Sequence, residues 1–88
     1  MALTAAHRTL PLLSYARVRL VGSSKEVVVR INDRGPFHKG RVLDLSYAAA
    51  RQLGIVKRGS ALVDITPLAA DGVPTNPGVN GGNPQDAP

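Results

Sequence analysis

The sequence predicts a small, mainly β domain with one short helix and a disordered C-terminal tail. Two runs, residues 15–20 and 26–32, alternate apolar and polar side chains in the manner of half-buried strands. Residues 61–66 repeat this alternation, and a stretch of strong helix formers precedes them. Strands separated by short turns, together with a single helix, favour a small barrel over a sandwich.

The first two predicted strands form an antiparallel hairpin. Residues 22–25, Gly-Ser-Ser-Lys, separate them and have the composition of a turn. One face of this hairpin is apolar, and we expect it to line the core with Ala16, Val18, Leu20, Val27, Val29 and Ile31.

The second half of the predicted domain contains the helix and the closing strand. Residues 41–45 predict a short extended segment, and Ser46 suits the N-cap of a helix at residues 47–53. Gly54 follows at the position where a helix commonly ends in a left-handed residue. Residues 61–66 then predict a closing strand with one apolar face, formed by Ala61, Val63 and Ile65.

The chain from Pro67 to its end has the composition of a disordered tail. It holds five of the seven prolines and no aromatic residue. Such a segment buries too little apolar surface to offset the entropy of ordering it. We therefore predict one domain at residues 1–66 and a disordered tail at residues 67–88. The chain has no cysteine, so disulfides do not stabilise the domain.

The predicted domain is strongly basic. All 11 Lys and Arg residues precede the tail and are accompanied there by four acids, which gives 11 − 4 = +7. This charge favours an anionic partner such as nucleic acid, acidic lipid or an acidic wall polysaccharide, and the alternative is a basic surface with no specific partner. Two Tyr, one Phe and no base-reading motif disfavour nucleic acid. We expect neither a membrane span nor a signal peptide in this chain.

An acid/base site is the one kind of catalytic site that the residues of this sequence suggest. The sequence holds no Ser/His/Asp motif, no phosphate-binding glycine loop and no metal-ligand spacing, so no cofactor and no metal are expected. Glu26 and Asp64 fall within alternating strands, where a solvated face is the simplest interpretation. Asp33 and Asp44 remain, and they flank a loop at residues 34–43 whose two ends can place both carboxylates in one cleft.

Each of these residues also has a structural interpretation. Asp33 lies in the turn Asn-Asp-Arg-Gly-Pro, where aspartate commonly bonds to nearby backbone. Asp44 can bond the start of the helix near Ser46, and His7 can be an ordinary surface histidine. By default, the loop cations form a solvated basic surface: Arg34, Lys39 and Arg41.

Three ordered segments resemble a known family. Residues 4–11 read Thr-Ala-Ala-His-Arg-Thr-Leu-Pro, residues 27–37 end in Asn-Asp-Arg-Gly-Pro-Phe, and residues 40–50 read Gly-Arg-Val-Leu-Asp-Leu-Ser-Tyr-Ala-Ala-Ala. They resemble the RlpA (rare lipoprotein A) family of septal-ring lytic transglycosylases over about residues 3–66. The resemblance implies a double-psi β-barrel, related to barwin and expansins. It also implies a monomeric enzyme of the cell envelope that cleaves peptidoglycan glycan strands, preferably peptide-stripped ones.

The resemblance also implies roles for individual residues. It places the catalytic acid/base on Asp33 and an active-site histidine on His7, and Asp44 matches an acid shared with related barrel transglycosylases. The residues implied to hold the acidic glycan are Asn32, Arg34, Phe37, Lys39 and Arg41. In this chemistry the C6 hydroxyl of the sugar attacks its own anomeric carbon and leaves a 1,6-anhydro end, so one carboxyl group is sufficient.

One departure from the family pattern qualifies the expected fold. Family members carry, before the segment that matches residues 4–7, a first barrel strand, a Ser-Trp-Tyr-Gly-like motif and a further active-site acid. This sequence lacks them, so we expect an incomplete, N-terminally truncated barrel. The alternative function is a non-catalytic, expansin-like module that binds wall polysaccharide.

Overall fold

Six strands and one helix make up the fold in the computed structural model, which describes residues 2–69 and 84–87. In chain order they are β1 (Thr4–His7), β2 (Tyr15–Leu20), β3 (Glu26–Asp33), β4 (Leu43–Leu45), α1 (Tyr47–Leu53), β5 (Ala61–Leu68) and β6 (Pro84–Ala87). The strands form one sheet in the order β4-β1-β3-β2-β5-β6. Its two edge strands, β4 and β6, approach each other, so the sheet curls into a half-barrel. The mainly β prediction with one helix is confirmed.

The predicted hairpin is present with its predicted apolar face. β2 and β3 pair antiparallel, with Ala16 opposite Val29 and Val18 opposite Val27. All six predicted core residues of the hairpin are buried. The alternation of the sequence therefore sets both the register and the face on which the core forms.

The closing strand is longer than predicted and contains a buried acid. β5 pairs antiparallel with β2 and continues to Leu68, beyond the predicted boundary of the domain. The prediction of a solvated Asp64 is wrong, because this residue is only 8% exposed. Asp64 lies opposite Arg19 on β2, and Arg19 Nη2 is 2.8 Å from Asp64 Oδ2. The ion pair offsets part of the cost of removing the carboxylate from water, while Asp64 Oδ1 is buried without a hydrogen-bond partner among the described residues.

β1 is a strand that the sequence pattern did not predict. It pairs parallel with β3 on one side and antiparallel with β4 on the other. Of its four residues only Ala5 is fully buried, so the segment has almost no alternation to recognise. The predicted extended segment at residues 41–45 is a strand only at Leu43–Leu45.

The described part of the C-terminal region differs from the predicted tail at both ends. Residues 67 and 68 belong to β5, and Pro84–Ala87 pairs antiparallel with β5 as β6. The free edge of β5 offers unpaired backbone groups to such a segment, which composition alone does not reveal. Residues 70–83 lie outside the described residues, so disorder there stays a prediction.

The helix begins and ends at the predicted residues. Ser46 Oγ accepts a hydrogen bond from the Ala49 amide at 3.2 Å, and Gly54 ends the helix in the left-handed conformation with φ 77°. Ser46 Oγ also accepts from the Thr4 amide at 3.2 Å, so one hydroxyl joins the helix to β1. Within the described residues, no helix is long and apolar enough to cross a membrane.

Two connections cross at one edge of the sheet. β1 and β3 run parallel, so both end at the same edge. The connection at residues 8–14 leads from β1 past β3 to β2, and the connection at residues 34–42 leads from β3 past β1 to β4. Given this strand order, the two connections must pass over each other. Most of the predicted site residues lie at the start of these connections or on them.

Two neighbouring valines test the assignment of the buried face. Val29 is fully buried and Val28 is 46% exposed on the same strand. We expect Val29→Ala to lower the free energy of unfolding by about 2 kcal/mol, because it removes two buried methyl groups and leaves a cavity. Val28→Ala is the matched control and should cost well under half as much. Urea denaturation measures both, and equal losses would contradict the assignment.

Candidate active site

The strand register places the backbones of three predicted site residues at the edge where the connections cross. Ala6 of β1 lies between Asp33 of β3 and Asp44 of β4 in the register, and His7 follows Ala6. Neighbouring strands lie about 4.8 Å apart, so the backbones of the two aspartates are about 10 Å apart. The register shifts between Ala5 and Ala6, which leaves Asn32 as the extra residue of a β-bulge beside Asp33.

Asp33 is an exposed carboxylate at the end of β3. Its Oδ1 accepts a hydrogen bond from the Arg34 amide at 2.8 Å, which is the turn contact expected of an aspartate here. The residue is nevertheless exposed to solvent. The turn contact and a catalytic role are therefore compatible, since the same bond that shapes the turn also orients the carboxylate.

His7 is held through one of its two ring nitrogens. Nδ1 accepts hydrogen bonds from the amides of Thr9 and Leu10, both at 3.1 Å. Because Nδ1 is an acceptor in both contacts, the proton of the neutral ring belongs on Nε2. Burial lowers the pKa of His7 below 6.5, and the positive charges of Arg34 and then Arg8 lower it further. At neutral pH, His7 is therefore mainly an uncharged imidazole whose proton is on Nε2.

Asp44 and Arg41 form an ion pair with each other. Arg41 Nη2 bonds to Asp44 Oδ1 three residues along the chain. Asp44 was expected to bond the start of the helix near Ser46. The Ser46 amide instead donates to Thr4 O at 2.8 Å. Among the described residues, Asp33 is thus the carboxylate of this edge that has no ion-pair partner.

The remaining predicted binding residues differ in what they contact. Phe37 is 82% exposed, and Asn32 and Lys39 are also exposed. Arg34 is already bound to protein, because its Nη1 donates to Leu10 O at 2.6 Å and to His7 O at 3.2 Å. The exposed aromatic ring and the exposed ammonium group therefore lie on the connection that follows Asp33.

Arg8 is a residue of this region that sequence reasoning missed. Its Nε donates to Pro36 O at 2.6 Å, and its Nη2 donates to Arg41 O at 2.9 Å and to His38 O at 3.1 Å. Its position directly after His7 was the available signal. That position does not distinguish Arg8 from an ordinary surface arginine, because its acceptors are backbone carbonyls and leave no pattern in the sequence.

Comparison with known proteins shows the family of this chain. The family model described as lytic transglycolase, a double-psi β-barrel domain, matches residues 1–65. The chain belongs to the lytic transglycolase family. The predicted resemblance to RlpA proteins is confirmed by curated relatives, each named endolytic peptidoglycan transglycosylase RlpA.

Three of these RlpA relatives illustrate the extent of the match. The Vibrio cholerae protein is 53% identical over 86% of this chain and 28% of its own length. The Yersinia pestis protein is 50% identical over 91% of this chain and 22% of its own length. The protein of Neisseria meningitidis serogroup A is 56% identical over 73% of this chain and 27% of its own length. The chain thus spans less than a third of each of these relatives.

The protonation of His7 can be tested directly. The chain has two histidines, so His38→Gln leaves His7 as the sole imidazole in an NMR titration. We expect a midpoint below 6.5, because burial and the two arginines disfavour the imidazolium. A midpoint at or above 6.5 would contradict the assignment.

The same shift makes stability depend on pH. Between the folded pKa of His7 and its unfolded value of 6.5, the unfolded chain binds more protons than the folded one. The free energy of unfolding is therefore highest above this window and falls as pH is lowered through it. In the His7→Asn variant this part of the pH dependence should be absent, as urea denaturation at several pH values can show.

Proposed function

We propose that this chain is the catalytic domain of an endolytic peptidoglycan transglycosylase, which cleaves glycan strands, preferably peptide-stripped ones, to 1,6-anhydro products. The observation that carries the proposal is that the strand register places an exposed Asp33 and His7, whose pKa is lowered, at the same sheet edge. The family match and the names of the relatives support it. We place its action in the cell envelope, where its substrate lies, and expect a monomer with no nucleic-acid partner.

Asp33 is the proposed acid/base. In its protonated form it gives a proton to the glycosidic oxygen as the bond from that oxygen to the anomeric carbon breaks. The C6 hydroxyl of the same sugar then bonds to the anomeric carbon, and its proton returns to Asp33. No water is consumed, so the paired carboxylates of an ordinary glycosidase are not needed. The ion pair between Asp44 and Arg41 supports this one-carboxylate scheme.

His7 is the proposed hydrogen-bond donor. Its Nδ1 is used by two backbone amides, so it is poorly suited to accept a proton at that atom. Its Nε2–H suits a bond to the Asp33 carboxylate or to a sugar oxygen that gains negative charge during cleavage.

The connection after Asp33 is the proposed glycan-binding segment. The exposed ring of Phe37 suits the C–H face of a sugar, and Asn32 and Lys39 suit its hydroxyl and carboxylate groups. Arg34 and Arg41 add positive charge to the same edge, although protein acceptors already bind their guanidinium groups. A strand stripped of its peptides exposes carboxylates that this charge attracts.

Asp33→Asn is the central test of catalysis. We expect it to lower the release of anhydro-ended fragments from denuded glycan strands by about 10²–10⁴-fold, the usual contribution of a general acid/base. Mass spectrometry of the products measures this. Glu26→Gln is the matched control, because Glu26 is an exposed carboxylate at the opposite end of the same strand. It should cleave like the parent.

Two results would contradict the catalytic proposal. One is an Asp33→Asn variant as active as the parent chain. The other is a folded parent chain that is retained on insoluble peptidoglycan but releases no anhydro-ended fragment. The second result would favour the alternative, a non-catalytic wall-binding module that uses the exposed Phe37 and the basic edge.

Phe37→Ala tests the binding segment separately. We expect KM for soluble glycan strands to rise about fivefold, which corresponds to the loss of about 1 kcal/mol of ring contact. Stability should be unchanged, because the side chain is 82% exposed. Leu62→Ala, at a 52% exposed residue of β5, is the control and should leave KM as it is. An unchanged KM in Phe37→Ala would remove Phe37 from the proposed site.

A further inference from the structure

Two arginines join the crossing connections, and each reaches from its own connection to the other. Arg8 is the first residue after β1, and its guanidinium group binds carbonyls of residues 36–41. Arg34 is the first residue after β3, and its guanidinium group binds carbonyls of residues 7 and 10. The two contacts are reciprocal, and they occur where the connections pass over each other.

Arg8 holds the connection that carries the proposed glycan-binding groups. Its guanidinium group binds three acceptors, Pro36 O, His38 O and Arg41 O. Phe37 and Lys39 lie between these acceptors in the sequence. The Arg41 amide donates to His38 O at 3.2 Å, so the same segment closes on itself as well. Since exposed loops of this kind otherwise sample many conformations, these bonds restrict where Phe37 and Lys39 lie.

Arg34 holds the turn that orients the histidine. It binds Leu10 O at 2.6 Å and His7 O at 3.2 Å through Nη1. The amide of the same Leu10 donates to His7 Nδ1. Leu10 therefore accepts a hydrogen bond from the Arg34 guanidinium group at its carbonyl oxygen, and it donates one to the His7 imidazole from its amide. Arg34 also directly follows Asp33, so it links the turn of His7 to the strand end that bears the carboxylate.

We propose that Arg8 and Arg34 are positioning residues, which form a reciprocal clasp that fixes His7 and the glycan-binding segment relative to Asp33. The clasp rests on the proposed function for its catalytic consequence. Its two halves act on different steps: Arg34 sets the geometry of the reacting groups, and Arg8 sets the geometry of the segment that binds substrate.

The Arg8 half of the clasp requires arginine specifically. The planar guanidinium group presents Nε and two terminal nitrogens in a fixed fork, so Arg8 can serve carbonyls of three residues at once. A lysine ammonium is a compact point charge on a flexible stem and cannot reproduce that fork. Arginine-to-lysine substitution therefore keeps the positive charge beside His7 and removes the geometry.

Steady-state kinetics on soluble denuded glycan strands tests the division of roles. We expect Arg8→Lys to raise KM about tenfold with little change in kcat, and Arg34→Lys to lower kcat about tenfold with little change in KM. A purely structural role would lower only the amount of folded protein, so with kcat calculated per folded molecule, as quantified by circular dichroism, it would leave both kcat and KM unchanged in both variants. Arg17→Lys is the control, because Arg17 pairs with Glu26 at 3.7 Å on the β2–β3 hairpin and makes no clasp contact.

A spectroscopic measurement keeps the clasp testable apart from catalysis. In the folded parent chain, the Nε–H of Arg8 should exchange with water more slowly than that of the exposed Arg58. The ¹⁵N shift of His7 Nδ1 should change in Arg34→Lys and not in Arg17→Lys. Exchange of Arg8 as fast as that of Arg58, or the parent kcat and KM in both clasp variants, would overturn the clasp. A parent chain with both spectroscopic signatures and no cleavage would instead overturn the proposed function.

Discussion

The parallel pairing of β1 with β3 is the constraint on which the rest of the structure depends. Two parallel neighbours end at the same edge, and in this strand order the connection from β1 passes β3 to reach β2 while the connection from β3 passes β1 to reach β4. Chain connections rarely cross on one edge of a sheet, so an arrangement that requires it needs specific contacts to hold it. Here those contacts are guanidinium-to-carbonyl bonds from Arg8 and Arg34. The same pairing places His7 and Asp33 at one edge of the sheet.

The hydrophobic core and the site share a single strand. β3 buries Val27, Val29 and Ile31 against β2 and the helix, and it ends in the bulge that presents Asp33. A strand paired on both sides is a rigid support, and rigid supports hold reacting groups more accurately than loops do. The carboxylate is consequently exposed to solvent, while the strand that carries it belongs to the core of the sheet.

Local patterns allowed the hairpin, its buried face and the helix to be predicted, because alternation and capping are encoded within a few residues. β1 was not predicted, because Thr-Ala-Ala-His has little alternation of apolar and polar residues and its parallel partner, β3, lies far along the chain. The burial of Asp64 depends on Arg19, which is 45 residues away in sequence. The family resemblance predicted Asp33 and His7 as site residues. It did not distinguish Arg8 from other surface arginines, because the acceptors of Arg8 are carbonyl groups that every residue has.

The crossing also determines where the sequence of this domain can change in length. The turn at residues 22–25 joins two adjacent strands, and Gly22 there has open space around its α-carbon. An insertion at that turn would extend into solvent without disturbing another part of the chain. The two crossing connections are coupled, since each supplies the acceptors for the arginine of the other. Evolution or protein engineering can therefore lengthen the hairpin turn freely, but the two connections over the site must vary together.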